Sequence, residues 1–193
     1  SIPGGGGEIL VDAVRERVAK KKAQTEEWLG VQEEAHRQGM RTSVTMMYGM
    51  GESNADRIEH LLKIRDLQAR TGGFTAFICW PLQPEGTPMF DGTAKTDAVT
   101  YLRTLAMGRI ICRNIPNMQS SWVTMGHKVG QVALRFGAND YGSLMMEENV
   151  VSAAGTTYRA TLEEMERMIT DAGFTARRRR QDYSLVGEAA AAA

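Results

Sequence analysis

Cysteine is scarce in this chain. The two that occur, Cys79 and Cys112, have no Cys or His neighbour at metal-ligand spacing. That excludes a disulfide framework and a zinc-finger type of site. Net charge is missing too, because 23 Lys and Arg are matched by 23 Asp and Glu. Broad electrostatic capture of nucleic acid or of an anionic membrane is therefore not expected. No apolar run approaches the roughly 18 residues of a membrane span, and the first residues lack the charged and apolar regions of a secretory leader. A cytoplasmic location is the expectation. What is present is an ordinary globular composition, 42% apolar and 24% charged over 193 residues. It suits one domain, or one large part of a domain. The start at Ser1 and the five alanines after Glu188 read as cut ends. Residues 184–193 are expected to be a disordered or appended tail.

Hydrophobic periodicity organises the rest. Glu8 to Val18 reads as a helix with Ile9, Val11, Val14 and Val18 apolar. Lys20 to Gln24 is a basic connector, and Thr25 caps a second helix over 26–38 that stops at Gly39. Thr42 to Tyr48 is a strand. Ser53 caps a helix carrying Ile58, Leu61 and Leu62, which ends near Gly72. Phe74 to Trp80 is the clearest strand, closed by Pro81. A proline-containing loop follows. Thr96 opens a helix with Val99, Leu102, Leu105 and Ala106 on one face. Ser120 to Thr124 reads as a short strand, Gly126 to Phe136 as a helix, Gly142 to Met146 as a strand, and 147–154 as a helical turn. Thr161 with Glu164 forms a capping box for the last helix. This alternation predicts an α/β fold with parallel strands and helices in turn. In a (β/α) barrel the loops after the strands form the catalytic face. Four or five strands are too few for an eight-stranded barrel, so the sequence reads as a barrel's second half.

Several stretches carry possible chemistry. Four glycines precede Glu8, so backbone amides there could meet a ligand; a tight turn is an equal reading. The absence of a following Gly-Lys-Ser/Thr rules out a P-loop. Gly49-Met50-Gly51-Glu52 joins a strand to a helix and could contact a nucleoside, although a simple capped turn accounts for it. Gln119, Ser121 and Trp122 belong to a polar-aromatic cluster. Alternation would put Ser120, Trp122 and Thr124 on one side of the strand and Gln119, Ser121 and Val123 on the other. Trp122 alone reads more readily as core. Asn139 and Asp140 are ordinary turn formers. Glu147 and Glu148 would lie at a barrel mouth or at a helix N-terminus. His36, His60 and His127 are isolated and read as structural or surface groups. The twelve methionines read as core filling, and Arg177 to Arg180 as a solvated tail.

The segments SIPGGGGEIL, EEWLGVQEEAHRQGMRTSVTMMYGMGES, HLLKIRDLQARTGGFTAFICWPLQP, YLRTLAMGRIICRNIPNMQSSWVTMG and QVALRFGANDYGSLMMEENVVSAAG together resemble the C-terminal half of the cyclic dehypoxanthinyl futalosine synthases. The resemblance runs from Ser1 to about Tyr183. TMMYG followed by GES, TGGFTAFI and QSSWVTMG make it specific. GANDYGS and MEENV are shared with aminofutalosine synthase and with the deazaflavin-cofactor FO synthases. The resemblance implies the C-terminal part (1–183) of a radical S-adenosylmethionine (radical SAM) barrel of TIM type. It implies S-adenosylmethionine and a [4Fe-4S] cluster as cofactors, an external electron donor, and a nucleoside substrate cyclised on the futalosine route to menaquinone. It implies cofactor contacts at Gly49, Gly51, Glu52, Gly6 and Glu8. Gln119, Ser121, Trp122, Asn139, Asp140, Glu147 and Glu148 become candidates for the substrate. One feature departs from the family: its CxxxCxxC cluster motif is absent here. The resemblance therefore implies that an N-terminal half elsewhere supplies the cluster ligands, and that this chain alone is inactive.

Overall fold

A computed structural model describes residues 2–87, 92–144 and 158–187. The first ordered segment is not a helix throughout. Residues 8–11 are extended or bent, and helix α1 covers only Asp12–Val18. Helix α2 spans Thr25–Arg37, one residue earlier than expected, because Gln24 and Glu27 close a capping box around its first turn.

Strand β1, Thr42–Tyr48, has the expected bounds and a strict two-residue burial alternation. Ser53 accepts from the Asp56 amide and starts helix α3, Asn54–Thr71, which ends on Gly72 in the left-handed region. Its buried face is His60, Leu61, Ile64, Leu67 and Gln68, whereas Ile58 and Leu62 are exposed. Strand β2 runs Phe74–Pro81 and takes in the proline as its last residue. Helix α4, Ala98–Ile111, begins after the Asp97 cap. It buries Tyr101, Thr104, Leu105 and Gly108, and leaves Val99 outside.

The strand expected at Ser120–Thr124 is displaced. Strand β3 is Asn117–Gln119. Residues Trp122–Met125 form a short helix, α5. The physical reason is visible at Ser121. Its amide donates to the Tyr101 hydroxyl and its Oγ to the Cys79 carbonyl, so the chain is turned off the sheet there. The proposed two-sided alternation over 119–124 fails with the strand: Ser120, Ser121, Trp122 and Thr124 are all buried. Helix α6, His127–Ala133, runs into a 3-10 turn at Leu134–Phe136. Helix α7, Leu162–Asp171, starts at the expected Thr161–Glu164 capping box. No strand forms over 142–144. Residues 145–157 lie outside the described residues, and with them the expected turn at 147–154.

The sheet order is β1-β2-β3, all parallel. Two further segments extend it. Ile2 bridges Thr42 in parallel, and Asp140 bridges Gln119 in parallel. Main-chain hydrogen bonds continue the first of these, from Ser43 to Ile2 and from Met47 to Glu8. The result is an arc in which a single parallel bridge extends the three-stranded sheet at each edge, by Ile2 beside β1 and by Asp140 beside β3. The right-handed β-α-β path puts the helices on one face. Val44, Met46, Tyr48, Phe77 and Cys79 are buried beneath them. Ser43, Thr45, Met47, Thr75, Ile78 and Trp80 form the half-buried opposite face.

Two glycines are dictated by close approach. A Cβ on Gly4 would come within 2.6 Å of the Val44 backbone. One on Gly108 would meet the Phe77 ring at 2.8 Å, so α4 lies flat on β2. The cysteines are structural. Cys79 and Cys112 are fully buried, and burial pushes both thiols up to about 12.

Candidate functional site

Two polar regions stand at opposite ends of the arc. The glycine run lies alongside β1, with Gly4 against Ser43–Thr45 and Glu8 bonded to Met47, and the Gly49–Glu52 turn follows at the carboxyl end of β1. At the amino ends lies a cavity of about 680 Å³.

The glycine run is held from behind by Arg15. That guanidinium is only 1% exposed and donates to the carbonyls of Gly6, Gly7 and Ala23. Trp28 Nε1 donates to the Gly5 carbonyl at 3.2 Å. The carbonyls are thereby drawn to one side. Glu8 follows with φ 27°, in the region that disfavours side chains. It is not in a helix, contrary to the expectation that the helix begins at Glu8. Its Oε1 accepts from Lys22 Nζ at 2.5 Å. Its Oε2 is buried without a hydrogen-bond partner and lies 3.9 Å from Arg15. A buried carboxylate oxygen with no hydrogen bond can accept one more donor.

The Gly49–Glu52 turn is built differently. Gly49 and Gly51 both take positive φ, at 92° and 86°. A Cβ on Gly49 would meet Thr96 Oγ1 at 2.9 Å. The Glu52 side chain points inward and is 0% exposed. It accepts from the Gly49 amide at 2.9 Å and the Met50 amide at 2.8 Å. Arg57 donates to it at 2.8 Å through Nε, and its guanidinium lies 4.6 Å from the Tyr48 ring centroid. The carboxylate is thus fully engaged with the turn and with Arg57.

The positions singled out on the later strands separate. Gln119 lines the cavity together with Ser43, Thr75, Ile78 and Ser143. Ser121 and Trp122 are buried behind the sheet, and Trp122 stacks on His127 at 5.0 Å and on Tyr141 at 6.5 Å. Asn139 is exposed; its Oδ1 accepts from the Met118 amide and from Arg109, which ties β3 to α4. Asp140 accepts from the Gly142 amide and from Arg179. Glu147 and Glu148 lie outside the described residues.

Sequence reading missed three arginines: Arg15, Arg57 and Arg179. A signal for the first was present. Val11, Val14, Arg15 and Val18 share one helical stripe, so an arginine occupies a core-facing position. Arg179 lies in the run read as a solvated tail, yet it is bonded into the fold. Ser184 to Val186 likewise pair back on residues 178–180 rather than trailing free.

Histidines hold structure. His36 sits between Thr71 and Thr42, with ring nitrogens 2.7 and 2.8 Å from their hydroxyls. His60 is fully buried and its Nδ1 accepts from the Leu10 amide at 3.0 Å, while Nε2 has no partner. Burial pushes its pKa down to about 3, so the ring is neutral at physiological pH.

Among the described residues there is no group of three or more His, Cys, Asp or Glu arranged to hold a metal. The cysteines sit buried on β2 and at the end of α4. No described helix is long and apolar enough to cross a membrane.

Comparison with known proteins adds a lineage. Residues 71–191 match the family model described as the CofH/MqnC C-terminal region. The chain is 45% identical to the cyclic dehypoxanthine futalosine synthase of Halalkalibacterium halodurans, over 96% of this chain and 50% of that protein. It is 43% identical to the synthase of the same name from Streptomyces coelicolor, over 95% of this chain and 46% of the relative. It is 39% identical to the 5-amino-6-(D-ribitylamino)uracil–L-tyrosine 4-hydroxyphenyl transferase 1 of Methanosarcina barkeri, over 98% and 53% respectively. The chain spans about half the length of the curated relatives it matches.

Proposed function

The chain belongs to the CofH/MqnC C-terminal family, and from that premise we propose that it is the C-terminal half of a radical S-adenosylmethionine cyclase. In this reading the complete polypeptide converts dehypoxanthine futalosine to its cyclic form on a route to menaquinone. The observation that carries it is the 45% identity to a synthase of that name over nearly the whole chain. The arc of parallel segments supports the architecture, because it accounts for about half a barrel wall.

The two implied cofactors fare differently against these residues. The [4Fe-4S] cluster needs three thiolates, and two buried, separated cysteines do not fit it. In this reading its ligands belong to the other half of the complete protein. S-adenosylmethionine does fit. The buried Oε2 of Glu8 has no hydrogen bond, only the 3.9 Å ion pair to Arg15, and can accept from an ammonium or hydroxyl donor at the end of the glycine run. When bound, that cofactor supplies the adenosyl group that abstracts hydrogen in this superfamily. In this reading Gly6 and Glu8 face it on one side and Gly49 and Gly51 on the other. Glu52 holds the second turn in shape rather than touching the ligand. Gln119 is retained as a wall residue of the substrate space.

The test is a binding measurement on the complete polypeptide. Gly6→Val and Gly49→Val each put a branched side chain at positive φ. Each is expected to weaken S-adenosylmethionine binding by more than about tenfold, a loss near 1.4 kcal/mol. Unchanged affinity in both, with the fold intact by circular dichroism, removes these turns from the cofactor site.

The transferase relatives define the second reading. At 39% identity they share most of the chain, and tyrosine with 5-amino-6-(D-ribitylamino)uracil would then be the substrates.

A further inference from the structure

The cavity at the amino ends of the strands is closed from below by the chain's own C-terminal residues. Its walls include Thr42, Ser43, Thr75 and Gln119, and its lower boundary is Arg179, Gln181, Asp182 and Tyr183. These last four belong to a hairpin. The Arg180 amide donates to the Ser184 carbonyl and the Val186 amide to the Arg178 carbonyl, both at 2.8 Å, and Arg179 bridges Leu185 in antiparallel fashion. Tyr183, at the tip, has φ 69°. The turn is closed within the hairpin, where the Tyr183 amide donates to the Arg180 carbonyl at 3.1 Å.

An ion pair ties the hairpin to the sheet. Arg179 donates through Nε at 3.1 Å and through a terminal nitrogen at 2.6 Å to one oxygen of Asp140. The two side chains are 20% and 9% exposed, so the pair is shielded from solvent. The Tyr183 ring lies 4.2 Å from the guanidinium and covers it. Asp140 is in turn part of the sheet: its carbonyl accepts from the Ser120 amide, and its second oxygen accepts from the Gly142 amide. One carboxylate therefore joins the last parallel segment to the hairpin. It also fixes the path of 140–143, whose Ser143 lines the same cavity.

We propose that residues 178–186 are the floor of the ligand-binding lumen, latched by Arg179 onto Asp140, so that ligand enters and leaves only by the carboxyl-end mouth. Arg179 and Asp140 are then positioning residues that set the depth of the substrate space. The inference rests on the reading of the concave face as a ligand lumen. It assigns Asp140 to the latch and not to substrate contact.

The experiment uses the complete polypeptide with a thiol reporter, Thr75→Cys, on the cavity wall. Cys79 and Cys112 are fully buried and serve as silent internal controls. A bulky polymer-linked maleimide is the probe, and peptide mass mapping locates the label. With the latch intact, position 75 labels slowly. Arg179→Met is expected to raise that rate at least about tenfold, the effect of lowering a local opening free energy by a factor of ten in population. Asp140→Asn should do the same to a lesser degree, and provides the test if Arg179→Met does not fold. The reversed pair, Asp140→Arg with Arg179→Asp, should bring the rate back to within about threefold of the intact latch. Equal labelling with and without the latch, or a reversed pair no slower than the single variants, overturns the proposal.

A second readout separates a floor from a merely stabilising contact. Without the reporter, Arg179→Met is expected to raise the nucleoside KM by about fivefold with kcat little changed. Faster labelling with an unchanged KM would make the hairpin a structural tail and overturn the floor. If the unaltered protein turns over no dehypoxanthine futalosine, the activity reading fails, and the labelling rates still decide the latch.

Discussion

His60 links the fold to pH. Its ring accepts from the Leu10 amide and must stay neutral to do so. Burial holds its pKa at about 3, well below the ordinary value of 6.5. A folded pKa below the unfolded one means that the unfolded chain takes up the proton first. The stabilisation is complete above pH 6.5 and is lost as pH falls toward 3. The slope from this group alone is at most about 1.4 kcal/mol per pH unit. Urea unfolding at a series of pH values checks it. His60→Asn can still accept from Leu10, and should flatten that slope. His36 is shifted down by burial as well and adds in the same direction.

Glu52 and Arg57 form the other decisive residue-scale contact. The carboxylate is fully buried and the guanidinium nearly so. Replacing one partner leaves the other buried and unpaired. Glu52→Gln is expected to cost about 3 kcal/mol in unfolding free energy. It should also loosen the Gly49 and Met50 amides, which hydrogen exchange would report as faster exchange in the turn. Stability within experimental error of the unaltered protein would contradict the geometry.

Whole elements were legible where local physics decided them. The alternation of Thr42–Tyr48 has one face for the helices and one for the opposite side, and its bounds came out unchanged. The capping boxes at Ser53 and Thr161 placed two helix starts, because the side chains that close them are three residues apart. The short strand after α4 was misplaced for the opposite reason. Its end is fixed by Tyr101, Cys79 and Asp140, all 20 or more residues away. The Asp140–Arg179 pair is not legible in the sequence, because the two residues are 39 positions apart.

The first segment tests the packing of elements. A Cβ at Gly4 would collide with the Val44 backbone, whereas nothing lies within 4 Å of one at Gly5. Gly4→Ala must push the 2–8 segment off β1 and should cost about 2 kcal/mol or more. Gly5→Ala should change stability by no more than about 0.5 kcal/mol. Thermal melts of the two variants separate this account from one in which the glycine run is a loose turn.

At the scale of the molecule, an arc of parallel segments has outer edges and an inner face that, among the described residues, is met by the 178–186 hairpin only at its amino end. Parallel sheets are stable when both faces are covered, and unpaired edges invite association. The 193-residue chain alone is expected to self-associate in light scattering, and the complete polypeptide to be monodisperse. A stable monomer of the chain alone would mean that the arc is a finished fold.

Turnover by the complete polypeptide addresses the central claim most directly. The protein is reconstituted anaerobically with iron and sulfide and given S-adenosylmethionine and a reductant. It is then offered dehypoxanthine futalosine in one vessel, and tyrosine with 5-amino-6-(D-ribitylamino)uracil in another. The account predicts cyclic dehypoxanthine futalosine and 5'-deoxyadenosine in the first vessel and no coupled product in the second. Coupling of tyrosine to the uracil, with the futalosine left intact, would contradict it.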